Sequence, residues 1–123
     1  MRELQATMIN TILLGDCREI LKGIATQSIN MVYLDPPFFT QKKHKLTDSS
    51  RDKIYSFDDK YKSLDEYLSL IKEALIECKR VLRDDGSLLL HCDKTASHHL
   101  RFVLDEIFGE DNFVNEIVWT YKR

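Results

Sequence analysis

The run Ile29 to Phe38, INMVYLDPPF, ends an apolar stretch with an acidic residue, two prolines and an aromatic ring. Proline fixes φ and carries no backbone N–H, so Pro36 and Pro37 predict a stiff extended turn whose carbonyls stay free to accept hydrogen bonds from a ligand. Asp35 adds a carboxylate and Phe38 a flat face. An acceptor carboxylate, a free carbonyl and a stacking ring suit a flat heterocycle bearing an NH₂ group. A nucleobase turned out of its stack is such a group. The four residues also fit an ordinary strand followed by a proline turn.

These groups need an element to hold them. Met31, Val32, Tyr33 and Leu34 form a short, continuous apolar run before a breaker, the pattern of a strand buried in a parallel sheet. Asp35 then falls at the carboxyl end of that strand, where open α/β sheets bind their ligands. Ile9 to Leu14 predicts an earlier strand, stopped by Gly15 and Asp16, and Cys17 to Ala25 a short amphipathic helix with Asp16 as N-cap. An acidic residue at a strand end also binds the adenosine part of a cofactor in nucleotide-binding sheets, so Asp16 carries both readings.

Ser63 to Leu82 predicts the longest helix. Ser63 and Glu66 have capping-box spacing, and Leu64, Tyr67, Leu68, Ile71, Leu75, Cys78 and Leu82 recur at helical steps. Cys78 belongs to that stripe and reads as core. Asp84, Asp85 and Gly86 should end the helix, and Ser87 to Cys92 then gives a second buried strand, with His91 and Asp93 near its carboxyl end. Two such βα units imply a parallel sheet with right-handed crossovers. Thr95 to Phe108 predicts a third helix presenting His99, Phe102, Val103 and Ile107 and closed by Gly109, and Asn112 to Arg123 reads as strand-like.

Composition bounds the rest. At 123 residues, 43% hydrophobic and 31% charged, the chain has the size and make-up of one small globular domain. Its apolar runs are shorter than the ~20 residues of a membrane span, which points away from a membrane partner. Cys17, Cys78 and Cys92 show no C-x-x-C spacing, so neither zinc nor a disulfide framework is expected and a reducing cytoplasm fits. His91, His98 and His99 share no ligand spacing, and no metal site is expected. The net charge of −2 places any DNA contact in a local patch. Phe39 to Lys62 offers one: 24 residues with seven Lys or Arg and neither Gly nor Pro, in which Lys42, Lys43 and Lys45 follow the proline turn directly. A connection that long is functional or simply a solvated surface segment.

DPPF resembles the [D/N/S]-PP-[Y/F/W] motif of amino DNA methyltransferases, and the similarity extends along the chain in family order through GDC, DPPF, GSLLLHCD and LDEIFGEDNFVNEIVWTY. The resemblance is to the beta group. It implies a partial Rossmann-like, class I methyltransferase α/β sheet, mostly parallel and of about four strands, with Asp16, Asp35 and Asp93 on one rim. It implies methyl transfer from S-adenosylmethionine to adenine N6, less favoured cytosine N4, as in restriction-modification systems. By the same resemblance Asp35, Pro36, Pro37 and Phe38 are catalytic, and Asp16, Cys17, Asp35 and Asp93 lie toward the cofactor. Residues 39–62 become a mobile loop in which Lys42, Lys43 and Lys45 meet double-stranded DNA around a flipped base.

The beta group also carries an F-x-G-x-G cofactor loop after its target-recognition region. The only glycines here are Gly15, Gly23, Gly86 and Gly109. The chain is thus expected to be the catalytic half of a methyltransferase domain, inactive alone, needing a second segment or subunit that brings F-x-G-x-G, with a homodimer also compatible. The alternative is an inactive remnant, or a DNA- or protein-binding module that keeps the fold.

Overall fold

A computed structural model describes residues 9–39, 43–48, 53–58 and 63–123; for 43–48 and 53–58 only the backbone enters the description. The elements run α1 (Cys17–Lys22), β1 (Ile29–Leu34), β2 (Lys43–Asp48), β3 (Lys53–Asp58), α2 (Leu64–Val81), β4 (Leu82–Leu90), α3 (Ser97–Phe108) and a 3₁₀ turn at Glu110–Asn112. β1 pairs in parallel with β4, and β2 pairs antiparallel with β3. The result is a small α/β framework. Among the described residues no helix is long and apolar enough to cross a membrane.

α2 organises the packing. The Ser63 hydroxyl accepts from the Glu66 amide at 3.1 Å, satisfying one of the donors a helix start leaves open. The helix buries Tyr67, Ile71, Ala74, Leu75, Cys78 and Val81, a stripe at steps of three and four residues. Ala96 and Leu100 from the start of α3 close over it, with Val103 and Ile107 packed alongside. Phe102 instead points to solvent at 76% exposure, so the inward face of α3 is set by Leu100 and not by the aromatic ring the sequence suggests.

At its far end α2 holds the chain that leads into β1. The Arg80 guanidinium donates to the carbonyls of Leu21 (2.7 Å) and Ile24 (2.9 Å) and to the Thr26 hydroxyl (3.1 Å). A cation there takes up the Ile24 carbonyl and adds a second donor to the Leu21 carbonyl, which the Ile24 amide already uses at 2.9 Å.

Four segments differ from the sequence expectation. Ile9 to Leu14 is not a strand: among the described residues it has no ladder partner, and Ile12 and Leu14 are 98% and 102% exposed. Asp16 is therefore an N-cap at no strand end, while Asp35 and Asp93 follow the carboxyl ends of the paired strands β1 and β4. Asp84-Asp85-Gly86 does not separate α2 from a later strand. β4 starts at Leu82, opposite Ile29, bulges through this segment and resumes at Ser87 opposite Met31. Gly86 allows that bulge, since a Cβ there would stand 3.0 Å from the Asn30 carbonyl oxygen. Asn112 to Arg123 runs exposed and joins no sheet among the described residues, because an extended segment needs a neighbour to take its backbone hydrogen bonds.

The connection 39–62 contains the β2–β3 hairpin, with Leu46 opposite Tyr55 and Thr47 opposite Ile54, where the sequence led us to expect an irregular loop. Thr47, Ile54, Tyr55 and Phe57 are the β-branched and aromatic types that strands favour. Of the lysines placed on DNA, Lys42 lies outside the described residues and Lys43 and Lys45 lie on β2.

Candidate active site

β1 and β4 run side by side to Leu34 and Leu90, and one further rung joins them: the His91 amide donates to the Leu34 carbonyl at 2.9 Å. The parallel register thus continues to the residue before Asp35. Beyond it the chain turns through Pro36 and Pro37, and among the described residues nothing donates to the Pro36 carbonyl. Asp35 is open to approach, its side chain 59% exposed.

The His91 ring sits at the centre of this rim. Its Nδ1 lies 3.1 Å from the Tyr33 hydroxyl and 3.7 Å from Asp35 Oδ1. The ring also leans on Phe38, centroids 5.4 Å apart at 53°, and meets the Tyr33 ring edge-on at 6.4 Å and 86°. Tyr33 and Asp35 share a face because strand residues two apart do. One imidazole therefore touches the base of the strand end, the carboxylate and the stacking ring.

Asp93 stands two residues beyond. Its Oδ2 accepts from the Thr95 amide at 3.0 Å and its backbone carbonyl from the Ser97 amide at 3.1 Å, which starts α3. Among the described residues its Oδ1 is buried without a hydrogen-bond partner. A buried carboxylate oxygen with no donor is costly, so Oδ1 is a buried acceptor on this rim that still wants a ligand. Burial, reinforced by the Asp93 charge, raises the pKa of the neighbouring Cys92 thiol.

Asp16 and Cys17 are held elsewhere in the network. Asp16 accepts from the Arg18 amide at 2.9 Å and from its guanidinium at 2.6 and 3.1 Å, and Arg18 reaches on to Glu73 of α2 at 3.0 Å. The Arg18 hydrogen bonds bring the Asp16 carboxyl from 3.8 down to about 2. Both oxygens of Asp16 are thus engaged, and among the described residues no hydrogen bond or ion pair ties Asp16 or Cys17 to the His91 group. Cys17 itself is exposed.

The structure therefore gathers Asp35, Phe38 and Asp93 at one rim. The sequence places His91 with Asp93 near the carboxyl end of its strand, beside the proline turn if the two strands are neighbours, but assigns it no task, and Tyr33 reads only as part of the apolar run. A surface depression of about 360 Å³ lies at the other end of the strand pair, lined by Gln27, Arg83, Asp84 and Asp85. Its polar groups are already paired, Gln27 with Asp84 and Arg83 with Asp85, and it offers no comparable chemistry.

A family model described as DNA methylase, of the N6/N4 class, matches residues 29–123. The chain is 32% identical over 122 residues to the type II methyltransferase M.HinfI of Haemophilus influenzae, which covers 97% of the chain and 33% of that protein. It is 32% identical over 112 residues to the type II methyltransferase M.KpnI of Klebsiella pneumoniae, across 89% of the chain and 26% of that protein. It is 29% identical over 127 residues to the Mod subunit of the type III restriction-modification enzyme EcoP15I of Escherichia coli, across 85% of the chain and 20% of that protein. The chain spans about a third or less of the length of each of these relatives.

Proposed function

Since the chain belongs to the N6/N4 DNA methylase family, we propose that it supplies the amine-capturing half of a DNA methyltransferase of a restriction-modification system, acting on adenine N6. The observation that carries this is Asp35, exposed at the carboxyl end of β1 beside the Phe38 ring and a Pro36 carbonyl to which nothing donates among the described residues. Two acceptors at one corner suit the two N–H bonds of an exocyclic amine, and the ring suits the base that bears it.

The chemistry follows from those acceptors. The amine nitrogen of adenine shares its lone pair with the ring. Holding its N–H bonds on Asp35 and the Pro36 carbonyl favours a pyramidal nitrogen whose pair points outward. S-adenosylmethionine supplies an electrophilic methyl on a sulfonium. When bound it would give that methyl to the exposed lone pair and leave as a thioether, and Asp35 stands where it would take the proton the nitrogen sheds. Positioning contributes most of the acceleration in such a displacement. Phe38 stacks on the base and keeps water from its face.

For the cofactor, the orphaned Asp93 Oδ1 is a fitting acceptor for the hydroxyl or ammonium donors that S-adenosylmethionine carries. Asp16 fits only in exchange for an Arg18 contact. We place Asp16 and Cys17 toward the adenosine, Asp35 and Asp93 toward the reacting end, and Lys42, Lys43 and Lys45 on phosphates of double-stranded DNA next to the flipped base. The 123 residues hold no glycine-rich loop, so the Rossmann-like sheet and its cofactor pocket are completed by a further segment or subunit carrying F-x-G-x-G. Met31 and Tyr33, 60% and 58% exposed on one face of β1, are apolar surface of the kind such a segment would cover.

The experiment is methylation of DNA by the protein co-expressed with the sequence that brings F-x-G-x-G, followed by mass spectrometry of the released nucleosides. N6-methyladenine is expected. N4-methylcytosine would replace adenine as substrate, and an unmodified product with intact cofactor binding would favour a binding module that keeps the fold without turnover.

A further inference from the structure

We propose that His91 is a positioning residue for the amine-capturing corner: its ring, held by the Tyr33 hydroxyl, limits where the Asp35 carboxylate and the Phe38 ring can turn. The inference rests on the function proposed above and assigns a task that neither the motif nor the methylase chemistry specifies.

The direction of the Tyr33 contact is part of the proposal, and two distances bear on it. His91 Nδ1 faces two groups, the Tyr33 hydroxyl at 3.1 Å and Asp35 Oδ1 at 3.7 Å. A proton on Nδ1 would go to the carboxylate, the stronger acceptor, and draw it into hydrogen-bonding range. Asp35 stands outside that range while the hydroxyl stands inside it. On that ground we assign Nδ1 as the acceptor and Tyr33 as the donor, with the ring proton on Nε2. Asp35 keeps its oxygens for an incoming amine, and the imidazole limits where the carboxylate can turn.

The same ring supports Phe38 from behind, at 5.4 Å and 53°. A ring wedged on one face presents the other to a base, at low cost in side-chain freedom. The backbone of His91 is independently pinned to Leu34, so the imidazole is carried on the strand pair rather than on a loose turn. The other charged group near His91 along its own segment is Asp93, whose Oδ2 is taken up by the Thr95 amide.

The test compares three variants of the complete methylase. His91→Ala should lower kcat on DNA by about tenfold to a hundredfold, as an ångström of misplacement does, while KM for S-adenosylmethionine stays within about twofold of wild type. His91→Asn places an amide oxygen where Nδ1 was and should recover most of the loss. His91→Gln puts its polar group at the Nε2 end and should not. An unchanged kcat in His91→Ala, or Asn no better than Gln, overturns the role. Nitrogen NMR of the wild-type and Tyr33→Phe proteins reads the contact without turnover: Nδ1 should carry an acceptor shift that the Phe variant removes. A wild-type protein with that tautomer but without methylation would sink the methylase reading and leave the contact standing, whereas a proton found on Nδ1 sinks the positioning role itself.

Discussion

Replacing Asp35 separates catalysis from folding more cleanly than any other change at this rim. Its side chain is 59% exposed, and the His91 Nδ1 beside it lies 3.7 Å away. Losing it should change the stability by no more than about 0.5 kcal/mol, the ordinary range for a surface substitution. Its proposed work is a charge-assisted hydrogen bond to the target amine, worth about 1.5–3 kcal/mol. At about 1.36 kcal/mol per factor of ten, that is roughly a 13- to 160-fold loss of rate. Asp35→Asn keeps one oxygen acceptor without the charge and should fall near the lower figure. Asp35→Ala removes the acceptor and should reach or pass the upper one. The assay is transfer of a tritiated methyl group to DNA by the complete protein, with thermal melting of each variant alongside. Asn or Ala variants that keep kcat within about twofold of wild type would refute the assignment. So would a loss of rate that tracks a loss of fold.

Further outcomes follow from the packing and the titrating groups. Leu75 is fully buried under α3, so Leu75→Ala should cost about 2–5 kcal/mol in denaturant unfolding. Arg80→Ala strands the Ile24 carbonyl and leaves that of Leu21 with the Ile24 amide alone, and should cost about 1–3 kcal/mol by the same measurement. Burial pushes the Cys78 thiol up to about 11 whereas Cys17 is exposed, so at pH 8 a thiol reagent should modify Cys17 well before Cys78, read by peptide mass. The Asp16 carboxyl falls from 3.8 to about 2 on folding through its Arg18 hydrogen bonds. A depressed folded pKa adds stability above the unfolded value and loses it as pH drops through the folded one. Melting between pH 4 and pH 2 should therefore weaken the wild type more than Asp16→Asn.

The core was legible because a long amphipathic helix states its inward face in its spacing: Tyr67, Ile71, Leu75 and Cys78 are buried as their recurrence required. Strand content was legible only where two strands could pair. Val32 and Leu34 find Leu88 and Leu90, but Ile9 to Leu14, with the same apolar character, finds no partner among the described residues and stays exposed. Apolar composition reports a wish for burial, and a ladder needs a second chain segment at the right spacing. The bulge at Asp84 to Gly86 was misread for a related reason. Turn residues announce that the backbone bends, not whether the bend lies between two elements or inside one strand.

The rim shows the same limit at the level of side chains. Asp35, Pro36 and Phe38 are adjacent in sequence, so a motif carries them. The group that organises them, His91, lies 56 positions further on from Asp35, and only the parallel register of β1 on β4 brings Leu90 beside Leu34 and so His91 beside Asp35. Once that register is known, the neighbour of any strand-end residue follows from the pairing. Arg18 makes the complementary case: it is two residues from Asp16, yet which of several nearby carboxylates it takes depends on α2 bringing Glu73 within 3.0 Å. Local spacing identifies which groups can react. Long-range pairing decides which of them are free to do so, and here it leaves Asp35 open and holds Asp16 occupied.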